Sequence, residues 1–199
     1  EPTLLGLTPL VQVAQIPIDS PNFNVLKEGD VILSIGTINA PGKIRFLEAV
    51  RQLPLGSVNM RVLRAGEEIE LVCKAVAKSP LDFTPMLGIL LDSAFDYPLV
   101  AESVNEFNAE QVLFEKPKGL ERLIGGAEII AVNGVEISNW HNFWKELKKE
   151  NVGQSVLIAT QPLPSSPQVK IDFEIKSEVQ EALRQFSVQP LFTPVIFEP

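Results

Sequence analysis

Apolar positions along the chain follow two spacings in turn, and each spacing predicts an element. Val31 to Ile35 is short, β-branched and nearly all apolar, which predicts a buried strand, and Val11 to Ile18 is a second apolar stretch upstream of it. From Ile44 to Leu53 the spacing becomes helical, with Phe46 and Val50 on one side at i,i+4, and Pro54 stops the helix. Val58, Met60 and Val62 then alternate with polar residues, Arg64-Ala65-Gly66-Glu67 makes a turn, and Ile69 to Ala75 returns as the partner strand. In that return strand Ile69, Leu71, Cys73 and Ala75 share one face, and Glu70 and Lys74 lie on the other. The order strand, loop, strand, helix, hairpin predicts a small half-open barrel.

The same order occurs twice. Gly29 to Gly36 aligns with Gly126 to Asn133 without a gap, and the glycines that follow, Gly56 and Gly153, keep the same offset of 97 residues. Phe46 and Val50 correspond to Phe143 and Leu147. Upstream, Leu5-Gly6-Leu7 echoes Leu87-Gly88-Ile89, and Pro9-Leu10-Val11 echoes Pro98-Leu99-Val100. A weaker triplet marks borders at Leu7-Thr8-Pro9, Phe83-Thr84-Pro85 and Phe192-Thr193-Pro194. Ala77 to Asp82, polar and proline-bearing, reads as the connection between copies. The expected division is a first domain over residues 1–82, a second over 83–191, and a C-terminal strand or tail over 192–199.

The second copy has additions of its own. A polar insertion lies between Ala101 and Leu123, where the first copy has only a short loop. Ser138 can cap the helix from Asn139 to Lys149, and Val156 to Ala159 pairs with Val169 to Ile175 across the proline-rich loop Gln161 to Pro167, which reads as a hairpin insertion. Ser177-Glu178-Val179-Gln180 is a capping box opening a further helix over 177–186 that docks on its own barrel through Val179, Leu183 and Phe186.

Composition narrows the chemistry. Seventeen Lys and Arg against 25 Asp and Glu leave a formal charge of −8, without the basic footprint that a phosphate backbone requires, so nucleic acid is not an expected partner. Hydrophobic residues at 45% are enough for a core. One His and one Cys cannot supply a His/Cys zinc site or a disulfide framework, so no metal, cofactor or internal staple is expected in this chain. Cys73, on the apolar face of its strand, reads as a buried, inert thiol. No apolar run approaches the ~18 residues that span a bilayer, and the start at Glu1 without a signal peptide suggests a piece of a longer precursor. Neither a Gly-x-Ser-x-Gly elbow nor a Ser-Lys pairing argues for an enzyme in its own right.

These residues carry a family resemblance. Leu26 to Ile35 resembles the Gly-Asp-x-Ile-Leu-x-Ile-Asn-Gly strand of bacterial PDZ domains, Ile130 to Ile137 supplies the Val-Asn-Gly turn, and Ser20-Pro21 sits where the family has Gly-Ser-Pro-Ala. Three departures are Gly36-Thr37 for Asn-Gly, Gly126-Ala127 for Gly-Asp, and the missing Ala-Gly-Leu before Gly-Asp. The resemblance implies a mainly β fold with short helices, two PDZ-like half-open barrels in tandem. The tandem, the Ser138-Asn139-Trp140 step into the helix and the trailing strand are similar to the extracytoplasmic PDZ pair of the site-2 protease family, RseP-type intramembrane zinc metalloproteases. A non-catalytic regulatory piece of a bacterial membrane protein is then implied, periplasmic, filtering or sensing protein substrates above a membrane-embedded protease core that carries the zinc outside this chain. The alternative is a PDZ scaffold or accessory region of another protein, such as a trypsin-like quality-control protease or a secretion component, binding peptide C-termini.

A PDZ domain takes an extended segment as an added strand between a sheet edge and a helix, with backbone amides at an apolar-Gly-apolar turn holding a terminal carboxylate. The candidate turns are Leu5-Gly6-Leu7 for the first copy and Leu87-Gly88-Ile89 for the second. The helix would contribute Ile44, Leu47 and Arg51 in the first copy, and His141, Trp144 and Lys148 in the second. The competing reading makes the glycines ordinary strand-end kinks and the helix residues core or surface. His141 reads either as an acceptor for a ligand hydroxyl or, more simply, as a half-exposed His at a helix start.

Overall fold

Alternating and helical spacings become strands and helices where the pattern places them. The computed structural model describes residues 6–102, 119–149, 153–160, 168–177 and Gln180. Its first half contains β1 (Val11–Gln15), β2 (Val31–Ile35), β3 (Ile38–Asn39), α1 (Lys43–Gln52), β4 (Gly56–Arg64), β5 (Glu67–Ser79), β6 (Asp82–Met86) and β7 (Leu90–Ser93). After a 3-10 turn at Leu120–Arg122 come β8 (Glu128–Val132), β9 (Val135–Glu136), α2 (Trp140–Lys148), β10 (Gly153–Thr160) and β11 (Gln168–Ile175). The fold is mainly β with two short helices among the described residues, in two curled sheets, which is the class expected from the sequence.

The duplication extends to individual hydrogen bonds. Gly29 N–H donates to the Val13 carbonyl at 2.8 Å, and Gly126 N–H to the Val100 carbonyl at 2.7 Å. Gly36 N–H donates to Asn59 at 2.9 Å, and Asn133 N–H to Val156 at 2.8 Å, 97 residues on. β2 slips register against β4 between Ile32 and Ser34, and β8 slips against β10 between Ile129 and Ala131. Each helix buries its aromatic and its aliphatic residue one turn apart, Phe46 with Val50 and Phe143 with Leu147. α2 is capped one residue later than expected: Asn139, not Ser138, accepts the Asn142 N–H at 2.8 Å, and Ser138 Oγ accepts from the Asn142 side chain.

One departure from the family pattern has a structural explanation. Asp30 is buried and held by Arg64 through two bonds of 2.7 Å, Nε to Oδ1 and Nη2 to Oδ2, while Arg64 also donates to the Val25 carbonyl. That bonding raises the guanidinium pKa further above its ordinary value. In the second copy the equivalent position is Ala127, packed in an apolar core that needs no counter-charge.

The division at residues 82 and 83 does not separate two independent barrels. Ala77 to Asp82, expected as a connection, is part of a hairpin: β5 runs to Ser79 and β6 starts at Asp82, pairing back onto it. The first sheet runs β6-β5-β4-β2-β1-β7, with β3 on β2. Its two end strands are consecutive in the chain, so the sheet curls until Leu87-Gly88-Ile89 spans the seam. Leu87 therefore packs in the first core, among Val11, Leu26 and Met60. Conversely Leu7 packs in the second core with Val100, Leu120 and Trp144, and Pro9 bridges to Val100. Each barrel takes a wall from sequence assigned to the other. The physical reason is edge pairing: β1 has one side on β2, and Leu90–Ser93 covers the other from Val11↔Ser93 to Gln15↔Leu90. A third cluster, Leu10, Val31, Ala40, Ala94 and Ala101, joins the barrels.

Most of the 101–123 insertion, the loop 161–167 and the tail 192–199 lie outside the described residues, as does the 177–186 helix apart from Ser177 and Gln180. Gln180 is buried, and its Nε2 donates to the carbonyls of Lys148 and Lys149, at 3.3 and 2.9 Å, closing the end of α2.

Candidate functional site

The first cleft lies where β7 meets α1. β7 closes the sheet order, paired with β1 on one side, and among the described residues its other edge carries no strand. α1 packs beside β6 and β7. Alternation along this strand turns Leu91 toward the first core, together with Ile89 just before it, while Leu90 is exposed. On the helix Phe46 and Val50 face inward, which leaves Ile44 and Leu47 at 41% and 42% exposure and Arg51 in solvent on the last turn. A free strand edge beside a helix with accessible aliphatic side chains is the arrangement that takes an added strand.

The turn at the end of this cleft is fixed from behind. Gly88 has φ +66°, and a Cβ there would meet Pro21 Cδ and Ser20 Oγ at 3.0 Å, so both the conformation and the space call for glycine. Buried Asn22 clamps it: Nδ2 donates to the Leu87 carbonyl at 2.8 Å and to the Lys74 carbonyl at 3.0 Å, and Oδ1 accepts the Lys74 N–H at 2.7 Å. Ser20 Oγ adds a longer bond to the Leu87 carbonyl, 3.4 Å. With the Leu87 carbonyl held inward, the Gly88 and Ile89 N–H groups meet no acceptor among the described residues. Adjacent free amides at a left-handed glycine form a cradle for an anionic oxygen.

These placements re-pair the expected site residues. Leu87-Gly88-Ile89, assigned from sequence to the second copy with His141, Trp144 and Lys148, serves the cleft of Ile44, Leu47 and Arg51. Gly6, at φ +68°, and Leu7 go with the second barrel, where Leu7 shares a core with Trp144; Leu5 lies outside the described residues. Asn22 was not singled out from sequence. The available signal was its place directly after Ser20-Pro21, where the family has Ala.

The second cleft is filled. His141, Trp144 and Lys148 stand 97 residues after Ile44, Leu47 and Arg51, on the same face of the equivalent helix. The ring of Phe95 lies 5.8 Å from His141 and 5.4 Å edge-on from Trp144. Trp144 is 7% exposed, against 42% for Leu47 at the matching position. The Phe95 carbonyl also accepts the Trp140 N–H at 2.9 Å.

Other reactive groups are set in structural roles. Cys73 is buried, and its thiol pKa is pushed up to about 11, by burial first and by Asp30 second, which disfavours the thiolate. Among the described residues no three His, Cys, Asp or Glu side chains gather as a metal site, and no helix is long and apolar enough to cross a membrane.

No family model matches this chain, and no curated protein does. Solved structures are similar over less than half of it. The PDZ domain of an SdrC-like protein from Listeria monocytogenes is 24% identical over 42% of this chain and 87% of its own, with a TM-score of 0.38. The second domain of a Listeria protein, solved in solution, is 23% identical over 43% of this chain and 85% of its own, at 0.38. The PDZ domain of an SdrC-like protein from Listeria innocua is 24% identical over 41% and 91%, at 0.37.

Proposed function

We propose that this chain is a non-catalytic peptide-binding module of the PDZ kind, in which an extended protein segment adds to the free edge of β7 beside α1. Its terminal carboxylate rests on the Gly88 and Ile89 N–H groups, and its apolar side chains lie against Ile44, Leu47, Ile89 and Leu91. The observation that carries this reading is the conjunction at one turn: a strand edge that no other strand covers among the described residues, two amides that meet no acceptor among them, and a buried Asn22 holding the preceding Leu87 carbonyl away from the ligand. In the finer form, the module is the regulatory PDZ tandem of a membrane-associated zinc metalloprotease, filtering or sensing substrates on the extracytoplasmic side. The motif at Leu26 to Ile35 and its echo 97 residues on support that form. Zinc would belong to the protease core of the parent chain.

The test is calorimetric titration of the whole chain with an octapeptide ending in Val-Leu, as free acid and as C-terminal amide. The free acid should bind at least about tenfold tighter, since a charge-assisted hydrogen bond contributes roughly 1.5–3 kcal/mol. Leu47→Asp should abolish binding, and Asn22→Ala should weaken it several-fold while the apolar contacts remain. Equal affinity for acid and amide, or indifference to Leu47→Asp, overturns the reading. Attachment to a protease is tested on the parent reading frame, which should encode a His-Glu-x-x-His helix outside this segment.

A further inference from the structure

Phe95 does in the second cleft what a ligand would do. Its ring packs on both the imidazole of His141 and the indole of Trp144, which meet each other edge-on at 5.7 Å and are the two side chains that replace Ile44 and Leu47 of the first cleft. Its carbonyl takes the Trp140 N–H at 2.9 Å, so main chain and side chain are both engaged. Phe95 is only half-buried, whereas the ring it covers, Trp144, is nearly sealed. The segment that delivers it is short. Leu87 to Ile89 forms the turn of the first cleft, Leu90 to Ser93 forms its edge strand, and Phe95 lies two residues beyond Ser93.

We infer that the second barrel holds a second peptide site, occupied at rest by Phe95, and that this site selects an aromatic side chain from its partner. The inference rests on the proposed strand-addition reading for the kind of ligand, and on the ring geometry for its selectivity. Tilted and edge-on aromatic pairs are favoured beyond the area they bury, so a partner's Phe replaces Phe95 more readily than an aliphatic residue does. A partner at the second site must compete with Phe95, which lowers its apparent affinity by the fraction of time the cleft is empty. Since Phe95 lies in the turn directly after the strand that walls the first cleft, its N–H bonded back to the Ser93 carbonyl at 2.9 Å, a ligand added to β7 holds that segment in place and keeps the second site shut.

Both tryptophans of the chain, Trp140 and Trp144, lie on α2, so their emission reads the second cleft alone and calorimetry reads both. The probes are a hexapeptide with a central Phe, its Ala counterpart and toluene, titrated into wild type, Phe95→Ala and Phe95→Leu. Thermal unfolding confirms that the variants fold, and Phe95→Leu, which keeps apolar volume, carries the test if Phe95→Ala does not. The Phe peptide should change tryptophan emission weakly in wild type and with affinity raised roughly tenfold or more in Phe95→Ala, the Ala peptide should not, and His141→Asp should cancel the gain. Prior saturation with the Val-Leu octapeptide should suppress the wild-type response. An unchanged affinity in both Phe95 variants overturns the inference, as does toluene matching the peptide, which would mark a mere packing void. If the octapeptide fails in calorimetry while the emission response stands, the first-cleft reading falls and the second site survives.

Discussion

Leu7 and Leu87, when truncated, should each destabilise the barrel that lies on the far side of the sequence division. Leu7 is 2% exposed in the second core and Leu87 is 3% exposed in the first. Truncating a fully buried Leu to Ala removes its transfer energy and leaves a cavity, together about 3–5 kcal/mol. At about 3 kcal/mol the open form of the affected barrel rises on the order of 100-fold. Native-state amide exchange, read strand by strand, is the assay. Leu7→Ala should speed exchange in β10 and β11 by that factor and leave β4 and β5 much less affected, and Leu87→Ala should do the reverse. The bond network around Leu87 adds to its case, because its carbonyl is gripped by Asn22 and Ser20. Same-side loss would refute the interleaving: Leu7→Ala exposing β4 and β5 while β10 and β11 stay protected means that the N-terminal segment belongs to its own copy after all.

Two further outcomes follow from the buried polar groups. Arg64→Ala strands the buried Asp30 carboxylate and should cost about 3–5 kcal/mol in urea unfolding at unchanged slope, whereas the pair Asp30→Ala with Arg64→Gln, which reproduces Ala127 and Gln161 of the second copy, should cost much less. For Cys73 the folded pKa of about 11 lies above the ordinary value of 9.0, so the unfolded chain loses its proton first. Stability from this group is complete below pH 9 and declines as pH rises toward 11, by up to roughly 3 kcal/mol. Unfolding across that window, compared with Cys73→Ala, should show the decline in wild type alone.

Local pattern made much of this protein readable in advance. β2 was placed to the residue, α1 to within one residue, and the β4–β5 hairpin by its alternation and its Ala65-Gly66 turn, because side-chain period and turn chemistry act over a few neighbours. The offset of 97 residues survives as matched hydrogen bonds for the same reason: each copy repeats the local instructions that shape it. The sites depended on contacts across the chain. Asn22 reaches Lys74 and Leu87, 52 and 65 positions away, and nothing in its immediate neighbours announces that bond. Leu5-Gly6-Leu7 and Leu87-Gly88-Ile89 look alike as strings, so which barrel each would close was undetermined until strand edges had to be paired. His141 and Trp144 had the spacing of a groove, but whether that groove stood open depended on Phe95 arriving from the strand that walls the other cleft. Short-range periodicity specifies elements; their assembly is set by which buried surfaces and unpaired edges remain to be satisfied at long range.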